Sequence, residues 1–445
     1  MPKSDWFTDD CTNFFGSFFK AIGVSILKNT LFFYRTFLGA SILQSTIPRL
    51  KMEAGFFDAL RSLIPFPFNA KQKFRKLLAG YFGIDDEKIL LIGSGRQALY
   101  FLFKSLPDYE TVIMPAFTCR LVGDAAYMAG KKVKFVDVSL DDYNLVPELL
   151  EKRIVKHSII VVTNQFGIPS RTKEIKRICE KHDCLLIEDM AEAFGTEIGG
   201  KKVGTFGDAA ILSFSVSKTI STARGGAIFL NNPTPWSGKL EKVINAEMNP
   251  EGLVRALKHC FTAGTYNFFA NGIVYGSIIL PLWIRRHGLY TDKGIYTIKK
   301  NSFYTDNYTQ MQARLGLIVF SRLESIIKRR QEIAKRYIRE LSGIKALGFP
   351  KLSEGSVLSR FPILVLNENK TEFYFRALQK NIDLGFTFSY SMSRDKKNDP
   401  NAEFIGQQIL NLPITTKISD AEVDYVIKSI KEVAKGADKP PQLLF

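Results

Sequence analysis

The chain has 445 residues, 46% of them apolar, and 61 Lys and Arg against 44 Asp and Glu give it a net charge of +17. That length holds two or three domains with a real core, and the apolar fraction excludes disorder as the main state. Cys11, Cys119, Cys179, Cys184 and Cys260 have neither the spacing of a metal site nor the density of a disulfide framework. No metal is expected, and a reducing cytoplasm fits best.

The chain opens on a basic arm, residues 1–70, rich in the 36 phenylalanines. Residues 1–84 carry 11 Lys and Arg against 5 Asp and Glu. Lys20, Lys28 and Arg35 interrupt runs such as Phe14-Phe15 and Leu31-Phe32-Phe33-Tyr34, too often for a spanning helix. Asp5, Asp9 and Asp10, with no small-residue cleavage site, do not suit a signal peptide. Two readings stand level: an amphipathic helix at a membrane interface, or a helical arm packed on its own fold or on a partner subunit.

From residue 88 the pattern alternates. Apolar runs at 88–92, 112–114, 133–136, 158–162, 185–187, 209–213 and 227–230 are separated by helical patterns near 98–102, 118–129 and 171–182. Short, continuously apolar strands between helices predict an α/β domain around a mainly parallel sheet, with ligands beyond the strand C-terminal ends. This large domain is expected over 71–330, interrupted by an apolar, basic insertion at 236–303. The insertion carries 9 Lys and Arg against 4 Asp and Glu, and His259 to Ile284 contains no charged side chain. Asn267, Asn271 and Pro281 argue against a clean span there. A shallow membrane contact near Trp283, Arg285 and Arg286 stands beside a buried insertion. A helical pattern over 309–342, the run Phe361–Leu366 and a last helix near 419–435 predict a smaller C-terminal α+β domain, 331–445.

Three motifs carry chemistry. Gly93-Ser94-Gly95-Arg96 joins a strand to a helix, where backbone N–H groups suit a phosphate. Asp189 follows the strand 185–187 and suits a protonated ring nitrogen, or a helix cap. Ser213 to Lys218 follows another strand; a lysine there can form a Schiff base with an aldehyde cofactor, and the hydroxyls of Ser213 and Ser217 suit a phosphate. Taken singly each is as well explained by a turn, a cap or a surface lysine. Together they supply the lysine, acid and phosphate cradle that pyridoxal 5'-phosphate needs, in order and at strand ends.

The residues that follow carry a resemblance. They are GSGRQAL (93–99), PAFTCRLVGDAAYMAG (115–130), VDVSLDDYNL (136–145), NQFGIP (164–169), IEDMAEAFGTEIGGKKVGTFGD (188–208), SFSVSKTISTARGG (213–226), TQMQARLGL (309–317) and LNLPITTKISDAEVDYVI (410–427). From about 70 to 435, apart from the insertion, the chain resembles the DegT/DnrJ/EryC1/StrS aminotransferases, sugar-amine-forming enzymes of fold type I. The resemblance implies a homodimer and Lys218 as cofactor anchor and proton shuttle, with Asp189 at the pyridinium nitrogen. Ser94, Gly95, Arg96 and Ser213 would surround the phosphate. Glu192 stands where the family usually has Gln or His near the ring hydroxyl, and Cys119 where an aromatic usually stacks on the ring. Arg224 replaces the acid of the usual GEGG, and the asparagine that reaches the partner's site aligns near Thr305. The implied reaction is ping-pong transamination from a donor such as glutamate to a nucleotide-linked or lipid-linked keto sugar, in surface polysaccharide or glycolipid assembly. The rivals are a dehydratase using the same cofactor, and a membrane-associated relative without activity. No nucleic-acid motif accompanies the charge, which points instead to an anionic membrane surface or anionic substrate. The expected location is the cytoplasm, with the inner face of the cytoplasmic membrane as the peripheral alternative.

Overall fold

A computed structural model describes residues 45–287 and 305–435. The arm through residue 44 and the insertion's 288–304 lie outside the described residues, as do the side chains of Trp283, Arg285 and Arg286. Helices α1 (Phe56–Leu63) and α2 (Ala70–Phe82) come first. Helix α2 stops at Gly83, whose φ of 67° closes the last turn in the left-handed region. Then follow β1 (Ile89–Ile92), α3 (Gly95–Lys104), β2 (Thr111–Pro115), α4 (Arg120–Met128), β3 (Lys132–Val136), α5 (Pro147–Arg153), β4 (Ile159–Thr163), α6 (Thr172–Lys181) and β5 (Leu185–Asp189). A small hairpin, β6 (Glu197–Ile198) and β7 (Lys201–Lys202), leads to β8 (Ala209–Ser213) and β9 (Gly226–Leu230).

Seven of these strands make one sheet in the order β1-β9-β8-β5-β4-β2-β3. The pairs β2·β3, β2·β4, β4·β5 and β5·β8 are parallel, and β9 runs antiparallel to both neighbours. Strands β4 and β5 are buried at every position, which explains the continuous apolar runs IIVVT and LLI. Register sets the site: Thr163 pairs with Asp189, Asp189 with Ile211, and Ser213 with Gly226. All lie along the edge where β4, β5 and β8 end.

The segment read as an insertion forms helices α7 (Lys239–Glu247), α8 (Leu253–Phe269) and, after a π-type turn at Tyr275–Ile279, α9 (Leu280–His287). Among the described residues no helix is long and apolar enough to cross a membrane. Asn267 shows why the charge-free stretch is not a span. Its amide donates to Met52 O and Ala54 O at 2.8 Å and accepts from Met52 N–H at 2.9 Å, pinning α8 to the chain before α1. Helices α1 and α8 pack together through Ala59, Cys260 and Ala263 yet leave Phe56, Phe57, Leu253, Val254, Phe261 and Phe268 exposed.

The helical pattern from 309 is two helices, α10 (Gln310–Phe320) and α11 (Leu323–Leu341), broken at Ser321–Arg322. Thr309 and Gln312 start the first through a reciprocal capping box. Phe74 of α2 packs against Gly316 of α10, and its ring lies 5.5 Å from Phe214 and 6.3 Å from Tyr308. Each such fully buried ring contributes roughly 1.5–3 kcal/mol through area removed from water. Beyond α11, a three-stranded antiparallel sheet of β10 (Leu347–Gly348), β11 (Phe361–Val365) and β12 (Ile409–Leu412) is covered by α11, α12 (Lys370–Gln379) and α14 (Asp420–Lys435). Helix α13 (Pro400–Gln408) packs on β11 from the large-sheet side, beside Phe117, Tyr143 and Phe166. Residues 45–55 of the expected arm are stitched to this smaller body. Ile47 bridges Ile382, and the Arg49 guanidinium grips both oxygens of Asp383 at 2.5 and 2.7 Å.

Candidate active site

An open cavity lies beyond the ends of β4, β5 and β8, lined by every residue singled out in the sequence: Ser94, Gly95, Arg96, Cys119, Asp189, Glu192, Ser213 and Lys218. Ser94 caps α3, its Oγ accepting from Gln97 N–H at 3.1 Å while Gln97 Oε1 accepts from Gly93 N–H at 2.8 Å. The turn is seated tightly on β9: a Cβ on Gly226 would stand 2.6 Å from Gly95 N. The first N–H groups of α3 therefore face the cavity at a fixed place beside Ser213. The loop carrying Lys218 is closed by Phe214 N–H on Gly225 O at 2.8 Å and Thr222 N–H on Phe214 O at 2.9 Å. Cys119 stands at the start of α4, partly buried on the cavity wall.

Two carboxylates share the cavity in opposite states. Burial pushes the Asp189 carboxyl up to about 6, against the pull of Ala191 N–H and Lys218. Burial also acts on Glu192, but Arg360, Lys218 and Ser359 outweigh it and bring its carboxyl down to about 2. Arg360 Nη1 donates to both Glu192 oxygens at 2.7 Å, Ser359 Oγ donates to Oε2, and Lys218 Nζ donates to Oε1.

A second polar cluster borders the α3 turn. Asp306 lies 3.5 Å from Arg224 and 3.1 Å from Arg255, and its carbonyl sits where a Cβ on Gly93 would fall. His259 and Thr262 of α8 line the cavity there. His259 is buried, its Nδ1 has no hydrogen-bond partner, and burial with the nearby Arg224, Lys258 and Arg255 lowers its pKa to about 3. Thr163 Oγ1, Asn164 Nδ2 and Gln165 Nε2, all on lining residues, are likewise buried without partners.

Sequence reasoning assigned no role to Asn164, Gln165, Arg360, His259 or Thr262. Asn164 and Gln165 lay inside the quoted NQFGIP. His259 opens the charge-free stretch and was read as part of an apolar segment. Arg360 has no local signal: it stands just before β11 and meets Glu192 across 168 residues of sequence. Among the described residues no group of three or more His, Cys, Asp or Glu could hold a metal ion.

The residues fit a flat, phosphorylated aldehyde: a lysine, a buried acid and the start of α3 face one cavity, whose wall also carries unpartnered buried polar atoms of Asn164, Gln165 and His259. Comparison with known proteins agrees. The profile of the DegT/DnrJ/EryC1/StrS aminotransferase family matches residues 61–264 and 271–431. The spore coat polysaccharide biosynthesis protein SpsC of Bacillus subtilis is 24% identical over 82% of this chain and 90% of its own length. The UDP-4-amino-4,6-dideoxy-N-acetyl-beta-L-altrosamine transaminase of Campylobacter jejuni is 34% identical over 165 residues, 36% of this chain and 43% of its own. The sugar aminotransferase Spr1654 of Streptococcus pneumoniae, solved in its PMP form, superposes with a TM-score of 0.69 at 19% identity over 88% of this chain and all of its own, which supports the fold. The chain belongs to the DegT/DnrJ/EryC1/StrS family, pyridoxal-phosphate-dependent sugar aminotransferases of nucleotide-sugar and polysaccharide biosynthesis.

Proposed function

We propose that this protein moves an amino group from glutamate to a keto sugar carried on a nucleotide or a lipid. The observation that carries the reading is the meeting of Lys218, Asp189 and the α3 start in one cavity. Pyridoxal phosphate, when bound, supplies an electron sink. The chain's residues do the rest. Lys218 anchors the aldehyde carbon and then holds and returns the proton at the substrate carbon bearing nitrogen. Asp189, ionised only at a cost in its buried position, is stabilised by a protonated ring nitrogen and so keeps that nitrogen protonated. Ser94, Gly95, Arg96 and Ser213 would hold the cofactor's phosphate, with Cys119 and Glu192 on the wall that would receive the ring. The UDP-linked amino sugar in the name of the Campylobacter relative supports a nucleotide-linked substrate. The exposed apolar face of α1 and α8 supports a contact with a second copy of the chain, or the anionic membrane surface that the charge raised.

The test compares wild type with Lys218→Ala. Wild type should show the visible absorbance of bound cofactor and add an amine to a nucleotide-linked keto sugar, read as product mass. Lys218→Ala should lose both. Wild type without cofactor absorbance, together with full activity in Lys218→Ala, would refute the reading; a product lacking oxygen and gaining no nitrogen would favour the dehydratase.

A further inference from the structure

Helix α8 enters the cavity from outside the strand–helix framework, and it brings an imidazole to the α3 turn. His259 is 4% exposed, lines the cavity, and leaves Nδ1 unpartnered. Its neighbours on the wall are Arg224, Gly225 and Thr262, and Ser94 bridges Gly225 directly. Behind them, Arg255 and Arg224 flank the single carboxylate Asp306, which packs against Gly93. Two guanidiniums against one carboxylate leave this corner net positive. Orphaning a buried ring nitrogen costs about 1–3 kcal/mol, and the fold tolerates that beside a helix start already suited to an anion.

We propose that His259, with Thr262 beside it, is a phosphate ligand of this enzyme, supplied by α8 of the same chain to complete the anion end of the cofactor cavity. The neutral imidazole that burial and the surrounding cations enforce keeps one ring N–H donor, enough for one bond to a phosphoryl oxygen. The inference rests on the cofactor orientation proposed above, with the phosphate at the α3 start.

The full chain, stripped of cofactor, is titrated with pyridoxal phosphate and separately with pyridoxal, which lacks the phosphate. His259→Leu should weaken pyridoxal phosphate about tenfold, the scale of one hydrogen bond to a charged group, and leave pyridoxal within about twofold. His259→Asn, which keeps a donor, should recover most of the loss. His259→Phe, which keeps a ring of similar shape without a donor and is read in the same way, covers the case of a His259→Leu protein that does not fold, and should weaken only the phosphorylated form. Equal weakening of both forms, or no weakening of either, overturns this inference alone. Wild type that binds neither form overturns it together with the assignment of roles to Lys218 and Asp189.

Discussion

Asp189→Asn should make the cofactor-free protein more stable, and only above a definite pH. The Asp189 carboxyl titrates at about 6 in the folded chain against an ordinary value of 3.8, chiefly because burial disfavours its charge. Between those values the folded state keeps a proton that the unfolded state has released. The group's contribution to stability therefore falls as pH rises from about 4 to about 6, and the whole penalty is present above that. A shift of about two units at 1.36 kcal/mol per unit is about 3 kcal/mol. Asparagine never ionises, and its Oδ1 can still accept Ala191 N–H, which Asp189 holds at 2.9 Å. Urea unfolding of stripped protein, followed by circular dichroism, should show Asp189→Asn ahead of wild type by up to about 3 kcal/mol near pH 8 and level with it near pH 4. With cofactor bound the order should reverse, since the ring nitrogen loses its anion. A variant no more stable than wild type near pH 8, or a pH-independent difference, would refute a burial-strained carboxylate.

Two further substitutions test how the site is held. Glu53 and Arg330 form an ion pair at 2.8 Å with both side chains 1% exposed, so Glu53→Ala strands a buried guanidinium and should cost about 3–5 kcal/mol in urea unfolding. Replacing both residues, Glu53→Ala with Arg330→Met, should regain much of that, and a loss below about 1 kcal/mol in the single variant would contradict it. Gly225 has φ 130° and a Tyr308 ring where a Cβ would fall, so Gly225→Ala should lower the thermal midpoint by the equivalent of about 2–3 kcal/mol and weaken cofactor uptake. A wild-type melting curve would show that the turn relaxes freely.

The large sheet was legible because its central strands, β4, β5 and most of β8, are buried on both faces and so read as continuous apolar runs. Parallel pairing of β5 and β8 brings Asp189 and Ser213 to neighbouring strand ends, whereas Ser94 reaches them across the antiparallel β9, through its bridge to Gly225. The insertion was harder. A stretch without charge reads alike for a membrane contact and for a helix lying on its own fold, and what separates them is where Asn267 spends its hydrogen bonds. Those partners, Met52 and Ala54, lie more than 200 residues away in sequence, and no local pattern points to them. The break of the 309–342 pattern at Ser321–Arg322 was hidden because both helices share apolar spacing across it. His259 was hidden because it opens a charge-free stretch, where it reads as part of an apolar helix.

The division of labour between the two carboxylates is a tertiary product of the same kind. Asp189 ends β5 and Glu192 follows three residues on, both inside the cavity, yet one is pushed to about 6 and the other held near 2. Burial acts on both, so it cannot distinguish them. Arg360 does, with two bonds to Glu192 and none recorded to Asp189, and Ser359 adds a third. The backbone carbonyl of Ser359 in turn accepts from Arg330 at 2.9 Å, and Arg330 is the partner of Glu53. A chain of buried polar contacts therefore runs from the segment before α1, through Arg330 of α11 and the Ser359-Arg360 pair just before β11, to the carboxylate that holds Lys218. Buried ion pairs of this kind add little net stability, since desolvation offsets attraction, but they fix position. Glu192 is thereby held as an anion against Lys218, while the Asp189 carboxyl stays raised by burial, with Lys218 only a weaker counterweight.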